Sequence, residues 1–140
     1  MASEATIRCT LQIRKGNLNY YSQPSGFNAT VTGTKGPTPG AITVSTEGTD
    51  VDLSELTTPG LCRLMNLDST NSVKYGIWEP ETSTFYPLGM ILPGESFILR
   101  LATDLGQQYF TGTGTTGPVN NLRFQAENAS CNVLVEAFEN

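Results

Sequence analysis

Thr58–Leu101, TPGLCRLMNLDSTNSVKYGIWEPETSTFYPLGMILPGESFILRL, decides the fold class. It is a series of short apolar runs cut apart by turn signals. Pro59-Gly60 opens it, Asp68-Ser69-Thr70-Asn71 and Glu79-Pro80-Glu81 interrupt it, and Pro93-Gly94 precedes the last run. Proline presets φ, glycine supplies positive φ, and Asp and Asn bond their own backbone two residues on, so each interruption is a turn with a mechanism. The runs between them, Leu61–Leu67, Ser72–Trp78, Phe85–Leu88 and Glu95–Leu101, have strand length and are too short for a stable helix. They predict a β-meander at the centre of an antiparallel sheet or sandwich. In it Leu61–Leu67 pairs with Ser72–Trp78 across Asp68–Asn71, and Tyr86-Pro87 lies at a sheet edge, because proline has no N–H for the ladder.

Upstream, Thr6–Arg14 alternates, with Ile7, Cys9, Leu11 and Ile13 on one face and Arg8, Thr10, Gln12 and Arg14 on the other, the pattern of a half-buried strand. Lys15-Gly16-Asn17 turns it into Leu18–Ser22 as a hairpin, and Phe27–Thr32 reads as a third strand. Gly33–Gly40, rich in proline and glycine, reads as an exposed loop and Ala41–Thr46 as a strand. Val51–Leu56 is either one helical turn capped by Asp50 or Asp52, or an extended connector. Downstream, Asp104–Gln108 is a polar connector and Thr111–Asn121 a loop. Leu122–Ala126 and Cys131–Phe138 close the chain as strands, the second apolar on both faces and therefore interior. About nine or ten short strands in one domain spanning 1–140 predict an all-β fold, an antiparallel β-sandwich or jelly-roll-like barrel.

Charge and composition exclude several function classes. The net charge is −5, and among the scattered cations only Arg14-Lys15 are adjacent, so the basic footprint of a nucleic-acid binder is missing. No apolar run is long enough to span a membrane as a helix. The opening MASEATIRC has neither the basic nor the apolar region of a secretory signal. Charged residues make up only 15% of the chain, below the usual quarter or so, which leaves a surface of hydroxyls and amides. Such a surface is easily desolvated and suits permanent contacts with other proteins. Cys9, Cys62 and Cys131 each lie inside an apolar run and read as buried thiols of a protein made in a reducing cytosol. With no histidine and no Cys-x-x-Cys pair, zinc is not expected, and neither is any cofactor.

The motifs are better explained by folding than by chemistry. Gly112–Gly117 matches G-x-G-x-x-G, but a dinucleotide site needs a helix after it, and Pro118-Val119-Asn120-Asn121 leads into a strand. A hydrolytic triad lacks its histidine. Glu79, Glu81 and Glu95 are candidate glycosidase carboxylates, yet all three flank turns. Asp50, Asp52, Asp68 and Asn71 could supply oxygens to calcium but serve equally as turn formers. The Asn28 and Asn128 sequons carry little weight without a signal peptide. No catalytic or metal site is therefore expected. Five residues are singled out as partner-contact candidates. Arg63 and Arg100 interrupt apolar runs and would pair with a carboxylate such as Asp68 or Glu95, or reach another chain. Trp78, Phe85 and Tyr86 would pack in the core or an interface, or form an aromatic platform for sugar.

Leu56-Thr57-Thr58-Pro59-Gly60, Asn66-Leu67-Asp68, Asn71, Val73, Tyr75-Gly76, Pro93-Gly94-Glu95 and Arg100-Leu101 together resemble small β-sandwich structural proteins of tailed-bacteriophage virions. The resemblance covers the chain from about Gly48 onward, including Val133–Phe138. It implies a non-enzymatic role, as a capsid decoration or cement protein bridging neighbouring capsid subunits, or else as a tail or fibre-attachment component. It also implies contact with the major capsid protein or other virion proteins, a homo-oligomer or symmetric array, and residence in a virion assembled in the host cytoplasm. The N-terminal strand and the loops Gly33–Gly40 and Thr111–Asn121 are the segments expected to reach a neighbour. A carbohydrate-binding module on the particle surface is the alternative that rests on Trp78.

Overall fold

The computed structural model describes residues 4–103, 105, 108–111, 115–119 and 121–140, with the backbone alone along the strands at 108–111 and 115–119. The chain divides into two compact units, Met1–Thr32 and Gly33–Asn140. Among the described residues every regular element is a strand.

In the first unit, β1 (Ala5–Ile7), β2 (Leu11–Lys15), β3 (Leu18–Ser22) and β4 (Phe27–Ala29) form two antiparallel pairs. β1 pairs with β4 and β2 with β3. The β2–β3 turn is the expected one, with Gly16 at φ 55°, where glycine meets no Cβ penalty. The expected strand Thr6–Arg14 is broken into β1 and β2, and of its apolar face only Ile7 is buried. Leu11, Ile13, Leu18 and Tyr20 lie on one face of the hairpin and are all exposed. Alternation records which side chains share a face, not whether a second layer lies against that face.

The second unit is the sandwich. Its strands are β5 (Thr38–Val44), β6 (Thr49–Asp50), β7 (Pro59–Asn66), β8 (Val73–Glu79), β9 (Thr84–Ile91), β10 (Ser96–Arg100), β11 (Gln108–Thr111), β12 (Thr115–Val119), β13 (Asn121–Ala126) and β14 (Cys131–Glu139). One sheet has the order β10-β7-β14-β5 and the other β6-β13-β8-β9, while β11 and β12 pair separately. All are antiparallel. Between the sheets lie Val44, Leu64, Val133 and Val135 from the first and Val73, Ile91, Leu122, Phe124 and Ala126 from the second. Each fully buried aliphatic or aromatic side chain contributes about 1.5–3 kcal/mol. β14 is interior and β9 is an edge strand, as their sequences predicted.

The pairing of Leu61–Leu67 with Ser72–Trp78 is corrected: β7 and β8 belong to opposite sheets. Asp68–Asn71 is an arch across the sandwich, not a hairpin turn. Asn66, fully buried, sets it. Its Nδ2 donates to the carbonyls of Asn71 (2.8 Å) and Ile91 (3.1 Å), and its Oδ1 accepts from the Asp68 N–H. Its backbone pairs with Glu95 and Gly94, so the Pro93-Gly94 turn is tied to the same residue. Only β8 and β9 of the expected meander form a hairpin.

Two loop assignments are also corrected. Thr38–Gly40 belongs to β5, where Pro39 is tolerated because β5 is an edge. Residues 115–119 of the expected Thr111–Asn121 loop form β12 against β11. Gly112 and Gly114 lie outside the described residues.

The arch is pH-sensitive. Asp68 Oδ1 accepts from the Thr70 and Asn71 N–H groups at 2.7 Å each, which lowers its pKa. A carboxylate with a depressed folded pKa stabilises above its unfolded value, near pH 4, and that stability is lost as pH falls through the folded value. Melting-temperature profiles of the parent and Asp68→Asn are therefore expected to converge below pH 4, with the parent losing stability more steeply on the way down.

The three cysteines divide. Cys62 and Cys131 are buried, but Cys9 is exposed, correcting the expectation of three buried thiols. Cys9 lies in the link between β1 and β2, outside either strand. Burial pushes the Cys62 thiol up to about 12 and also raises Cys131. A chromogenic disulfide reagent at pH 8 should titrate one fast thiol, abolished in Cys9→Ser, with the other two appearing only on unfolding.

Candidate functional site

The five partner-contact candidates do not meet in one place. Arg63, in β7, stands directly opposite Glu136 of β14 on the outer face of the first sheet. Its Nε donates to Glu136 Oε2 at 2.6 Å. Arg100, at the end of β10, donates from Nη1 to Asn140 Oδ1 at 2.7 Å. Each therefore has an acceptor within the chain, although neither uses Asp68 or Glu95.

Trp78 and Phe85 are cross-strand partners of β8 and β9 on the outer face of the second sheet. Tyr86 pairs with Ile77 and points to the other face of β9, where its hydroxyl lies 3.4 Å from Glu79 Oε2. Successive strand residues alternate sides, so Phe85 and Tyr86 cannot share a platform. The platform is Trp78 with Phe85, and its third member is Arg123. The Arg123 guanidinium lies over the Trp78 ring, 3.7 Å from the centroid. Its Nε also donates to Asp50 Oδ1 across the β13–β6 pair, and Asn121 Nδ2 lies 3.4 Å from the same carboxylate. An outer-face stack of aromatic ring, guanidinium and carboxylate results. Arg123 was missed in the sequence. Its only signal is the alternation Asn121, Arg123, Gln125 outward against Leu122, Phe124, Ala126 inward, which does not say that β13 lies beside β8.

This stack has a direct readout, because Trp78 is the only tryptophan. Arg123→Ala is expected to shift its emission to longer wavelength and to cost about 1–2 kcal/mol, from the cation–π contact and the charge-assisted bond to Asp50. Arg123→Lys should recover part of the stability but not the stacking. Equilibrium urea unfolding followed by fluorescence measures both.

A cleft of about 420 Å³ opens beside β13. Its apolar lining comes from Val51, Leu53, Leu56, Pro59, Leu105 and Leu122, and Asp50 and Asp52 supply its carboxylates. The connector Val51–Leu56 builds it: the Val51 N–H donates to the Leu122 carbonyl and the Leu56 N–H to the Leu53 carbonyl. Hydrogen bonds from the Ser54 side chain and from its N–H, which donates to Asp52 Oδ1, lower the Asp52 pKa at the mouth of the cleft.

Most of the remaining polar residues weighed in the sequence have partners within the chain. Asp50 and Asp52 belong to this cleft, Asp68 and Asn71 to the arch. Glu79 accepts from the Thr82 hydroxyl and Glu95 from the Leu92 N–H. Among the described residues no three of His, Cys, Asp and Glu converge as metal ligands do. Comparison of the chain with family models, with curated proteins and with solved structures returned no match.

Proposed function

We propose that this chain is a non-enzymatic structural component of a bacteriophage virion, a decoration protein that bridges neighbouring capsid subunits. The observation that carries the reading is the uncovered apolar face of the N-terminal hairpin: Leu11, Ile13, Leu18 and Tyr20 all stand exposed. A two-stranded ribbon is marginal alone and needs a second layer, and an exposed apolar patch marks a contact surface. The low charge of the chain and its resemblance to phage structural proteins from Gly48 onward support the same reading. The contact would bury on the order of 1,000 Å² or more per neighbour. Mass spectrometry of purified particles, with cryo-EM of the same preparation, tests it. Copies in the hundreds with density over capsomer junctions are expected; absence from the particle overturns it, and a copy number of a few tens would move the protein to the tail or a vertex.

The Trp78–Phe85 pair favours a second reading, a carbohydrate-binding surface, since a flat aromatic face beside Arg123, Asp50 and Asn121 offers both stacking and hydrogen bonds. On a glycan array this reading expects binding that Trp78→Ala abolishes. An array without signal removes it.

A further inference from the structure

We propose that the N-terminal hairpin of one chain docks into the acidic cleft of a second copy, so that the protein assembles with itself by exchanging arms. Two independent features point there. The first is the hairpin's composition: Leu11, Ile13, Leu18 and Tyr20 form an exposed apolar face, and Lys15 shares that face at the tip beside Leu18. Arg14 lies next to it in β2 on the opposite side.

The second feature is the division of charge between the two units. Met1–Thr32 holds Arg8, Arg14 and Lys15 against Glu4 alone, so this arm is basic. Gly33–Asn140 holds the other five of the 8 cations and every one of the 13 acidic residues except Glu4. A chain with net charge −5 therefore carries a cationic apolar arm on a strongly anionic body. The cleft concentrates this complement. Val51, Leu53, Leu56 and Leu122 give it an apolar floor, and Asp52 stands exposed at its mouth. Glu55, exposed between the lining residues Ser54 and Leu56, adds a second carboxylate to the same segment.

Complementary potentials steer association and set its register, while the buried apolar contact supplies most of the affinity. The pairing predicts an outcome that other docking modes do not share: it weakens with ionic strength and follows the charges when they are exchanged. Reciprocal exchange between two chains closes a twofold dimer, and one-way exchange builds a ring where its rotation closes and an open filament where it does not. The inference draws on the same hairpin face as the virion reading but gives it a different occupant, and its test on the isolated protein in solution fails or succeeds separately from particle composition.

Sedimentation velocity of the full chain across concentration and salt tests it. Concentration-dependent self-association is expected, weaker in 0.5 M than in 0.05 M NaCl. Arg14→Glu with Lys15→Glu should weaken it about tenfold or more, and so should Asp52→Lys with Glu55→Lys. Mixing those two variants should give hetero-association, and combining all four changes in one chain should restore self-association. Leu11→Ser with Tyr20→Ser, on the exposed hairpin face, should abolish it while leaving the melting temperature of the sandwich in place. A chain that is monomeric throughout overturns the proposal. So does self-association indifferent to the reversals, or one that survives Leu11→Ser with Tyr20→Ser. Failure of the mixed variants to associate, with both folded by circular dichroism, also overturns it.

Discussion

Gly76→Ala is expected to destabilise the sandwich by about 3 kcal/mol or more, because the added methyl group meets backbone at closer range than at any other described glycine. Gly76 lies in β8 opposite Pro87, where the β8–β9 register shifts by one residue between Tyr75 and Gly76. A Cβ there would fall on the Tyr86 carbonyl oxygen and within 2.8 Å of the Pro87 Cα. Those obstacles are backbone, so no rotamer change relieves them, and the two strands would have to part. Because β8 and β9 carry Val73 and Ile91 into the core, parting them also loosens Phe124, Leu122 and their neighbours. Gly94→Ala is the control. Its φ of 75° imposes backbone strain, but nothing stands within 4 Å of the added atom, so a loss of about 1 kcal/mol is expected. Urea unfolding midpoints compare the two. A Gly76→Ala variant no less stable than Gly94→Ala would show that the bulge yields freely.

Asn66 carries the second large effect. Asn66→Ala is expected to cost about 3 kcal/mol, because it leaves the buried Ile91 carbonyl and the Asn71 carbonyl without their donor and the Asp68 N–H without its acceptor. Asn66→Asp has the same shape and should be worse at neutral pH. It places a carboxylate oxygen against two carbonyl oxygens in a fully buried site. Desolvation and these dipoles raise the folded pKa of that new carboxyl above its unfolded value. The sign follows: the penalty is absent below about pH 4 and grows as pH rises through the unfolded value, up to the folded one. The stability difference between Asn66→Asp and the parent should therefore be smallest in acid and widen toward neutral pH. Melting temperatures from pH 3 to 8 distinguish the two variants, and an Asn66→Asp profile parallel to Asn66→Ala would rule out the electrostatic account.

Both residues bear on what could be read before folding. Gly76 interrupts an apolar run and is visible as a small residue between Tyr75 and Ile77, but the carbonyl that forbids a larger one belongs to β9. Asn66 lay inside the expected strand Leu61–Leu67, and nothing beside it in the sequence marked its amide as structural. Its burial depends on β7 and β8 facing each other across the core, a crossing that no local signal distinguishes from a hairpin. The candidate site repeats the pattern. Trp78 stood out in the sequence, whereas its partner Arg123, forty-five positions on, became a neighbour only through the β13–β8 pairing. Arg63 and Arg100 were conspicuous too, and their acceptors, Glu136 and Asn140, came from the other end of the chain.

The sequence by itself determined the class of the fold, the interior position of Cys131–Phe138, the edge at Tyr86-Pro87 and most of the turns. These follow from φ preferences and period-two alternation, which act within a few residues. The tertiary structure alone decided which strands share a sheet, that the apolar face of the first unit's hairpin is exposed, and that Asp68–Asn71 is an arch. Sheet partners are chosen by burial summed over strands far apart in the chain, and a short polar link is compatible with either outcome. The stretch Thr58–Leu101 thus encodes its strands locally, while Asn66, through bonds to two other segments, settles where those strands go.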